Sequence, residues 1–311
     1  MIDRTSKAFF HLLAGSDALK RLASRYGMAS PTSFARRFIA GETLGEAIDA
    51  ARRIEAQGLS QTLDYLGESV ATDAEAEAAT REYIDTLEAI VSSGIGRNIS
   101  LKLTQLGLDL SKETALCNLR RILEPASRHE FFVRIDMENS PYTDATLEIF
   151  ETLWDEGFKN VGVVLQSALF RTAKDLPRAV GRGARVRLVK GAYKEDPEVA
   201  YQRRADVDAS YITEMEYLLR DGRFPALATH DPAIIDAAKA YAAREGIGKQ
   251  RFEFQMLYGV RRDLQHNLAR DGYGVRVYIP FGRQWFPYFM RRLGERPANV
   301  GFVVRSLLNE R

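Results

Sequence analysis

Near the C-terminus, "PYFMRRLGERPAN" (residues 287–299) sets two adjacent arginines and a glutamate behind an aromatic run. On a helix, Tyr288, Arg291, Arg292 and Glu295 fall at i, i+3, i+4 and i+7 and share one stripe, while Phe286, Phe289, Met290 and Leu293 largely occupy the other side. An amphipathic helix with solvated charges is the ordinary reading of such a pattern. Paired guanidinium forks also match a carboxylate or phosphate in shape. A second set of polar residues sits inside or just after short apolar runs. It comprises Lys102 between Leu101 and Leu103, Asp136-Met137-Glu138, Gln166, Arg187, Lys190 with Gly191-Ala192, Thr229-His230, Gln255 and Tyr278. Charges with apolar neighbours need partners, because unpaired burial costs several kcal/mol or more.

Three chemistries compete for these residues. A metal hydrolase would use Asp136, Glu138, His230 and Asp231, but only one histidine lies near a strand end. His11, His129 and His266 fall in helical patterns, and no H-x-H pair occurs. A Schiff-base aldolase would use Lys102 or Lys190 as a desolvated nucleophile. The concentration of cations, Arg187 included, favours anion binding instead. Gly191-Ala192 would let a flat or phosphorylated ligand approach the backbone.

The elements that must position these residues follow a strand–helix rhythm. Eight apolar runs read as strands: "QTLDYLG", "NISLKLTQLG", "FFVRIDME", "VGVVLQS", "ARVRLVKGAY", "FPALATH", "FEFQMLYG" and "GVRVYIPFG". Helical patterns lie between them, such as "DAEAEAATREYIDTLEAIVSSG", "DATLEIFETLWDEG", "DASYITEMEYLLRDG" and "DPAIIDAAKAYAAREG", the last with Asp231 at its cap. Residues 1–60 read as a helical N-terminal arm: "SDALKRLASRYG", then "SPTSFARRFIAG", then a helix opened by the capping-box pair Thr43 and Glu46. The expectation is an α/β chain in which residues 61–311 form a (β/α)8 barrel whose C-terminal strand ends build the site. A doubly wound open sheet would announce itself with G-x-G-x-x-G after its first strand. "GRGARV" and "GIGRNI" instead precede strands and lack the third glycine.

The totals narrow the partners. The 311 residues are 45% hydrophobic and 28% charged, with 44 basic against 42 acidic residues and no long block of one sign. Nucleic acid is therefore not an expected partner. The single cysteine, Cys117, excludes an intramolecular disulfide framework and is expected to be a buried small hydrophobe. "MIDRTSKAFFHLLAG" does not resemble a secretory signal, and no apolar stretch approaches the ~18 residues of a membrane span. A cytoplasmic protein is expected, with the apolar "AFFHLLAG" offering a peripheral membrane contact.

In chain order, "SLKLTQLGLDL", "VRIDME", "VVLQSAL", "VRLVKGAY", "LATHDP", "FEFQMLYG", "VRVYIPFG" and "YFMRRLGER" resemble the proline dehydrogenases, in their monofunctional bacterial form. "RLVKGAY" and "YxxRRLxE" are specific to that family. The resemblance implies a distorted barrel that binds FAD without a Rossmann motif and carries its last helix over the mouth. It further implies oxidation of L-proline to Δ1-pyrroline-5-carboxylate by hydride transfer to flavin N5, with electrons passing to a quinone; any peripheral membrane contact is expected on the inner face of the cell membrane. Carried over by motif, Asp136 and Arg187 take catalytic positions, Arg187 opposing negative charge on the reduced flavin. Lys102, Arg291 and Arg292 bind the substrate carboxylate. Tyr278, Tyr288 and Leu257 line its ring, and Asp136 and Glu295 steady the cations. Met137, Val164, Gln166, Lys190, Gly191, Ala192, Thr229, His230 and Gln255 contact FAD. Methylenetetrahydrofolate reductase, another FAD-containing barrel, is the rival redox reading.

Overall fold

A computed structural model describes residues 33–295, the side chains of residue 34 and of residues 293–295 excepted. The helix expected over "SDALKRLASRYG", the patch "AFFHLLAG" and the Glu295 side chain lie outside the described residues. What is described of "SPTSFARRFIAG" is one 3-10 turn, Phe34–Arg37.

Helix α1 spans Leu44–Glu55, and its start is fixed by the capping box, with the Thr43 hydroxyl accepting from Glu46 N–H and the Glu46 carboxylate accepting from Thr43 N–H. Eight strands follow, namely β1 (Ser60–Tyr65), β2 (Asn98–Leu101), β3 (Phe132–Ile135), β4 (Val161–Gln166), β5 (Val186–Val189), β6 (Ala226–Ala228), β7 (Glu253–Leu257) and β8 (Gly274–Phe281). Between them run α2 (Asp73–Ser93), α3 (Lys112–Arg128), α4 (Thr143–Asp155), α5 (Thr172–Gly181), α6 (Arg204–Asp221), α7 (Pro232–Arg244) and α8 (Arg262–Arg270), and α9 (Trp285–Glu295) follows β8. The strands are parallel and close in sequence order, β1 pairing with both β2 and β8. This is the (β/α)8 barrel that the eight apolar runs predict. Helix α6 begins one turn before the expected Asp208, and Cys117 is exposed on α3 rather than buried. Its helical spacing carried no information about which face it occupies.

Alternation along each strand sends aliphatic residues such as Leu63, Ile99, Ile135, Val163, Leu188 and Val277 out against the helices, where they form the main core. The inward positions are polar to an unusual degree: Asp64, Ser100, Lys102, Arg134, Gln166, Arg187, Glu253 and Gln255 are all buried. Gly162 on β4 makes room for this content. A Cβ there would lie 2.4 Å from the Arg185 carbonyl oxygen and 2.8 Å from the Arg134 guanidinium.

Helix α1 packs against β1 and β8. Helix α9 instead lies across the C-terminal mouth, in a second apolar cluster formed with Ala35, Phe38, Ile39 and Leu66. Trp285, fully buried at its start, donates to Glu42 Oε1 at 2.9 Å. Gly259 lets the loop after β7 press against the same layer. Its φ is +73°, and a Cβ would fall 1.6 Å from the Arg37 carbonyl oxygen, so no other residue fits there.

Candidate active site

At the centre of the mouth a network of ions and their hydrogen-bond partners joins six strands. Lys102, just past β2, places Nζ 3.4 Å from both carboxylate oxygens of Asp64 on β1 and 3.6 Å from Asp136 Oδ2 after β3. The Tyr278 hydroxyl of β8 lies 3.4 Å from Lys102 Nζ and donates to Asp136 Oδ2 at 2.8 Å. Arg187 of β5 donates through Nη1 to Asp136 Oδ1 at 2.7 Å, through Nη2 to Ser100 Oγ at 3.0 Å and through Nε to Gln255 Oε1 at 2.5 Å. The chain continues downward: Gln255 Nε2 donates to Glu253 Oε1 at 2.5 Å, and Arg276 Nε donates to the same oxygen at 2.9 Å. Strand register makes this possible. Asp64 pairs with Ser100, Gln255 with Arg276 and Leu257 with Tyr278, so inward residues of neighbouring strands fall at common heights.

The electrostatics follow from burial and pairing. Burial alone would push the Lys102 ammonium down, but Asp64 and Asp136 overcome that and hold it above the ordinary lysine range. Burial, with Asp136 and Asp64 adding to it, pushes the Tyr278 phenol well above its ordinary value, so the hydroxyl stays protonated. A lysine held as ammonium by two carboxylates is a poor Schiff-base nucleophile. The mouth is built to hold fixed positive charge.

Above this network, Arg291 of α9 forms a two-pronged ion pair with Glu68 of the loop after β1, Nη1 to Oε2 at 2.9 Å and Nη2 to Oε1. The expectation sets Asp136 and Glu295 against Lys102, Arg291 and Arg292 together. In the structure Asp136 serves Arg187, Lys102 and Tyr278, and Arg291 pairs with Glu68 because α9 crosses the mouth directly over the β1 loop. The Arg292 guanidinium stacks over the Tyr288 ring at 5.2 Å. Tyr288 is buried and Leu257 half-buried. Tyr193 joins the same wall, its phenol pushed up by burial and by Glu68.

The remaining expected site residues form a rim on the β3–β7 side. Met137, Val164, Gln166, Thr229 and Gln255 are buried, Gly191 and Lys190 half-buried, Ala192 exposed. Gln166 Nε2 donates to the Glu138 carbonyl at 2.8 Å, and Glu138 in turn accepts from Thr104 N and Oγ1. Lys190 pairs with Asp208 at 2.5 Å and Asp231 at 2.8 Å. His230 Nε2 accepts the Leu257 N–H at 2.9 Å, which puts its ring proton on Nδ1. These contacts disperse the four residues a metal site would need, since Asp231 caps α7 and His230 Nε2 is occupied by an amide. Gly191, at φ +115°, leaves bare backbone against Gln166, whose Oε1 would be 3.2 Å from an added Cβ. The bare backbone at Gly191 and the buried amide, hydroxyl and guanidinium of Gln166, Thr229 and Arg187 fit a flat cofactor with polar edges.

Sequence reasoning missed Asp64, Glu68, Ser100, Glu253 and Tyr193. Asp64 and Glu253 carried a signal, a lone charge inside an apolar strand pattern. Glu68 carried none, because its pairing depends on where α9 crosses.

A family model described as proline dehydrogenase matches residues 47–305. The chain is 40% identical over 301 residues to Proline dehydrogenase 1 of Bacillus subtilis, covering 97% of this chain and 98% of that one. It is 42% identical over 280 residues to the proline dehydrogenase of Deinococcus radiodurans, covering 89% and 90%. Among solved structures, the proline utilization A (PutA) of Bdellovibrio bacteriovorus inactivated by N-propargylglycine matches with a TM-score of 0.78 at 29% identity. That match covers 84% of this chain and 32% of the other, so the chain spans about a third of that protein's length.

Proposed function

The chain belongs to the proline dehydrogenase family, which oxidises proline in proline catabolism, and from that premise we propose how its mouth does so: as an FAD-dependent enzyme that converts L-proline to Δ1-pyrroline-5-carboxylate and passes electrons to a quinone. The observation that supports the reading is the buried polar network of the mouth, in which Lys102 meets Asp64 and Tyr278, while on α9 Arg291 pairs with Glu68 and Arg292 lies over the Tyr288 ring.

The substrate carboxylate binds among Lys102, Arg291 and Arg292, where guanidinium forks match its geometry. Asp64 and Asp136 keep Lys102 charged and in place; Glu68 does the same for Arg291. Leu257, Tyr278 and Tyr288 cover the apolar edge of the five-membered ring, so that binding excludes water from the reacting carbon. Met137, Val164, Gln166, Lys190, Gly191, Ala192, Thr229, His230 and Gln255 would hold FAD, and Arg187 would oppose negative charge on its reduced form. When bound, FAD would supply the two-electron chemistry, as the hydride acceptor through its N5. Arg187 holds Asp136 with one prong and has further N–H groups on the same nitrogens for the cofactor. With Lys102 held as ammonium and Tyr278 as phenol, the site favours proline that arrives with its amine neutral. No described helix is long and apolar enough to cross a membrane, and electron delivery to a quinone would take place at a peripheral contact on the cytoplasmic side.

N-propargylglycine, the compound that inactivated the Bdellovibrio protein, tests the substrate assignment. Incubation should abolish proline oxidation progressively, and L-proline should protect. Loss of activity that proline does not slow would place the compound elsewhere and remove the support for this pocket.

A further inference from the structure

The end of the barrel opposite the mouth holds a cavity of about 470 Å³ that the reaction does not use. Arg97, Arg185, Arg276, Glu55, Glu130 and Phe132 line it. Such a volume is within the range of small-molecule sites.

Arg185 is the unusual member. Its guanidinium lies between two aromatic rings, Cζ at 4.2 Å from the centroid of Phe132 and 4.6 Å from that of Phe224. Stacking fixes the plane of the fork and leaves its edge to make hydrogen bonds. No protein group answers that edge among the described residues: Nε is buried without a partner. An unanswered buried donor is costly, more so when charged. The other two arginines point to the same end. Arg276 is committed through Nε to Glu253 and through Nη1 to the Gln61 carbonyl. Arg97 donates to the His129 carbonyl and meets the largely exposed Glu130 only at 3.7 Å. Glu55 is turned to the backbone, accepting from Gly96 N–H at 2.7 Å and from Gln61. Among the described residues, two of the four non-glycine residues with positive φ, Glu130 at 56° and Phe224 at 47°, border this region. For a bulky aromatic that conformation is strained, and here it puts the Phe224 ring on Arg185.

We propose that this cavity binds the phosphate group of a small phosphorylated molecule, with Arg185 as its principal ligand and Arg97 and Arg276 supporting. A tetrahedral dianion answers the open fork and the neighbouring guanidiniums together, while the Phe132 ring offers an apolar wall to what the phosphate carries. Stability alone accounts for stacking the arginine, but not for leaving its donors unanswered.

Calorimetric titration of the flavin-loaded full chain with inorganic phosphate, at constant ionic strength in chloride, tests the proposal. One saturable site should appear. Affinity should fall at least tenfold in Arg185→Gln and severalfold in Arg97→Gln, and should persist in Arg292→Ala, which alters only the cation cluster of the mouth. If Arg185→Gln does not fold, the exposed Arg97→Gln decides. Absence of binding, binding unchanged in both cavity variants, or binding lost in Arg292→Ala would each overturn the proposal, the last by placing the phosphate at the mouth.

Discussion

Asp64 holds Lys102: the fully buried carboxylate on β1 meets Nζ at 3.4 Å through both of its oxygens. Lys102 is thus kept charged from below, and Asp136 is shared among Lys102, Arg187 and Tyr278. Removing one partner of a buried pair leaves an uncompensated charge, at a cost of roughly 3–5 kcal/mol. Asp64→Ala should therefore lower the stability of the flavin-loaded enzyme by about that amount and weaken proline binding. Chemical denaturation with a proline titration measures both. A variant as stable as the parent would mean that Asp136 alone suffices for Lys102.

Glu68 positions Arg291 from across the mouth. Glu68→Ala should raise KM for proline about tenfold, equivalent to ~1.4 kcal/mol of lost carboxylate binding, while kcat changes little. Steady-state kinetics separate the two. A fall in kcat at unchanged KM would show that the pair serves the chemical step instead.

Tyr278→Phe removes the hydroxyl that donates to Asp136 and faces Lys102. Hydrogen bonds to charged groups contribute about 1.5–3 kcal/mol, so kcat/KM should drop by roughly ten- to a hundredfold with the fold intact. The alkaline limb of the pH profile should nonetheless survive. Tyr278 and Lys102 are both held protonated well into the alkaline range, so activity should rise with pH through titration of the substrate amine, in parent and variant alike. A limb that vanishes in Tyr278→Phe would assign the titration to the phenol.

Glu214, buried on α6, makes a separate prediction about stability. Burial pushes its carboxyl from 4.5 up to about 7, a hydrogen bond from Ser210 opposing it only in part, and Oε2 has no partner. Between those values the folded state holds a proton that the unfolded chain has released. Stability from this group is therefore present below pH 4.5 and lost as pH rises through 7. The loss is on the order of 3 kcal/mol. Glu214→Gln should raise the melting temperature at pH 8 and flatten its dependence between pH 5 and 8. Parallel melting curves for parent and variant would contradict this.

The barrel was legible because each strand is a compact apolar run bounded by turn residues and each helix is amphipathic. The two periodicities do not overlap in "VGVVLQS" or "DPAIIDAAKAYAAREG". Lys102, Asp136, Arg187 and Tyr278 were legible as polar residues at or near strand ends, and the structure brings these four into one network. Their partners were less so. Asp64 is also next to the end of its strand, but a lone charge in "QTLDYLG" reads as a solvent-facing residue until the barrel closes around it. The Glu68–Arg291 pair spans 223 positions of sequence and depends on the crossing of α9, which periodicity does not set. Cys117 shows the same limit on a smaller scale, since a residue type prefers an environment but only packing assigns one.

The central claim is that this mouth holds a flavin that L-proline reduces. The most direct measurement is the visible spectrum of the purified protein before and after adding L-proline without oxygen. Flavin absorbance that bleaches on addition is the result expected here. A colourless protein that takes up no added FAD, or a yellow one whose spectrum L-proline leaves unchanged, would contradict it.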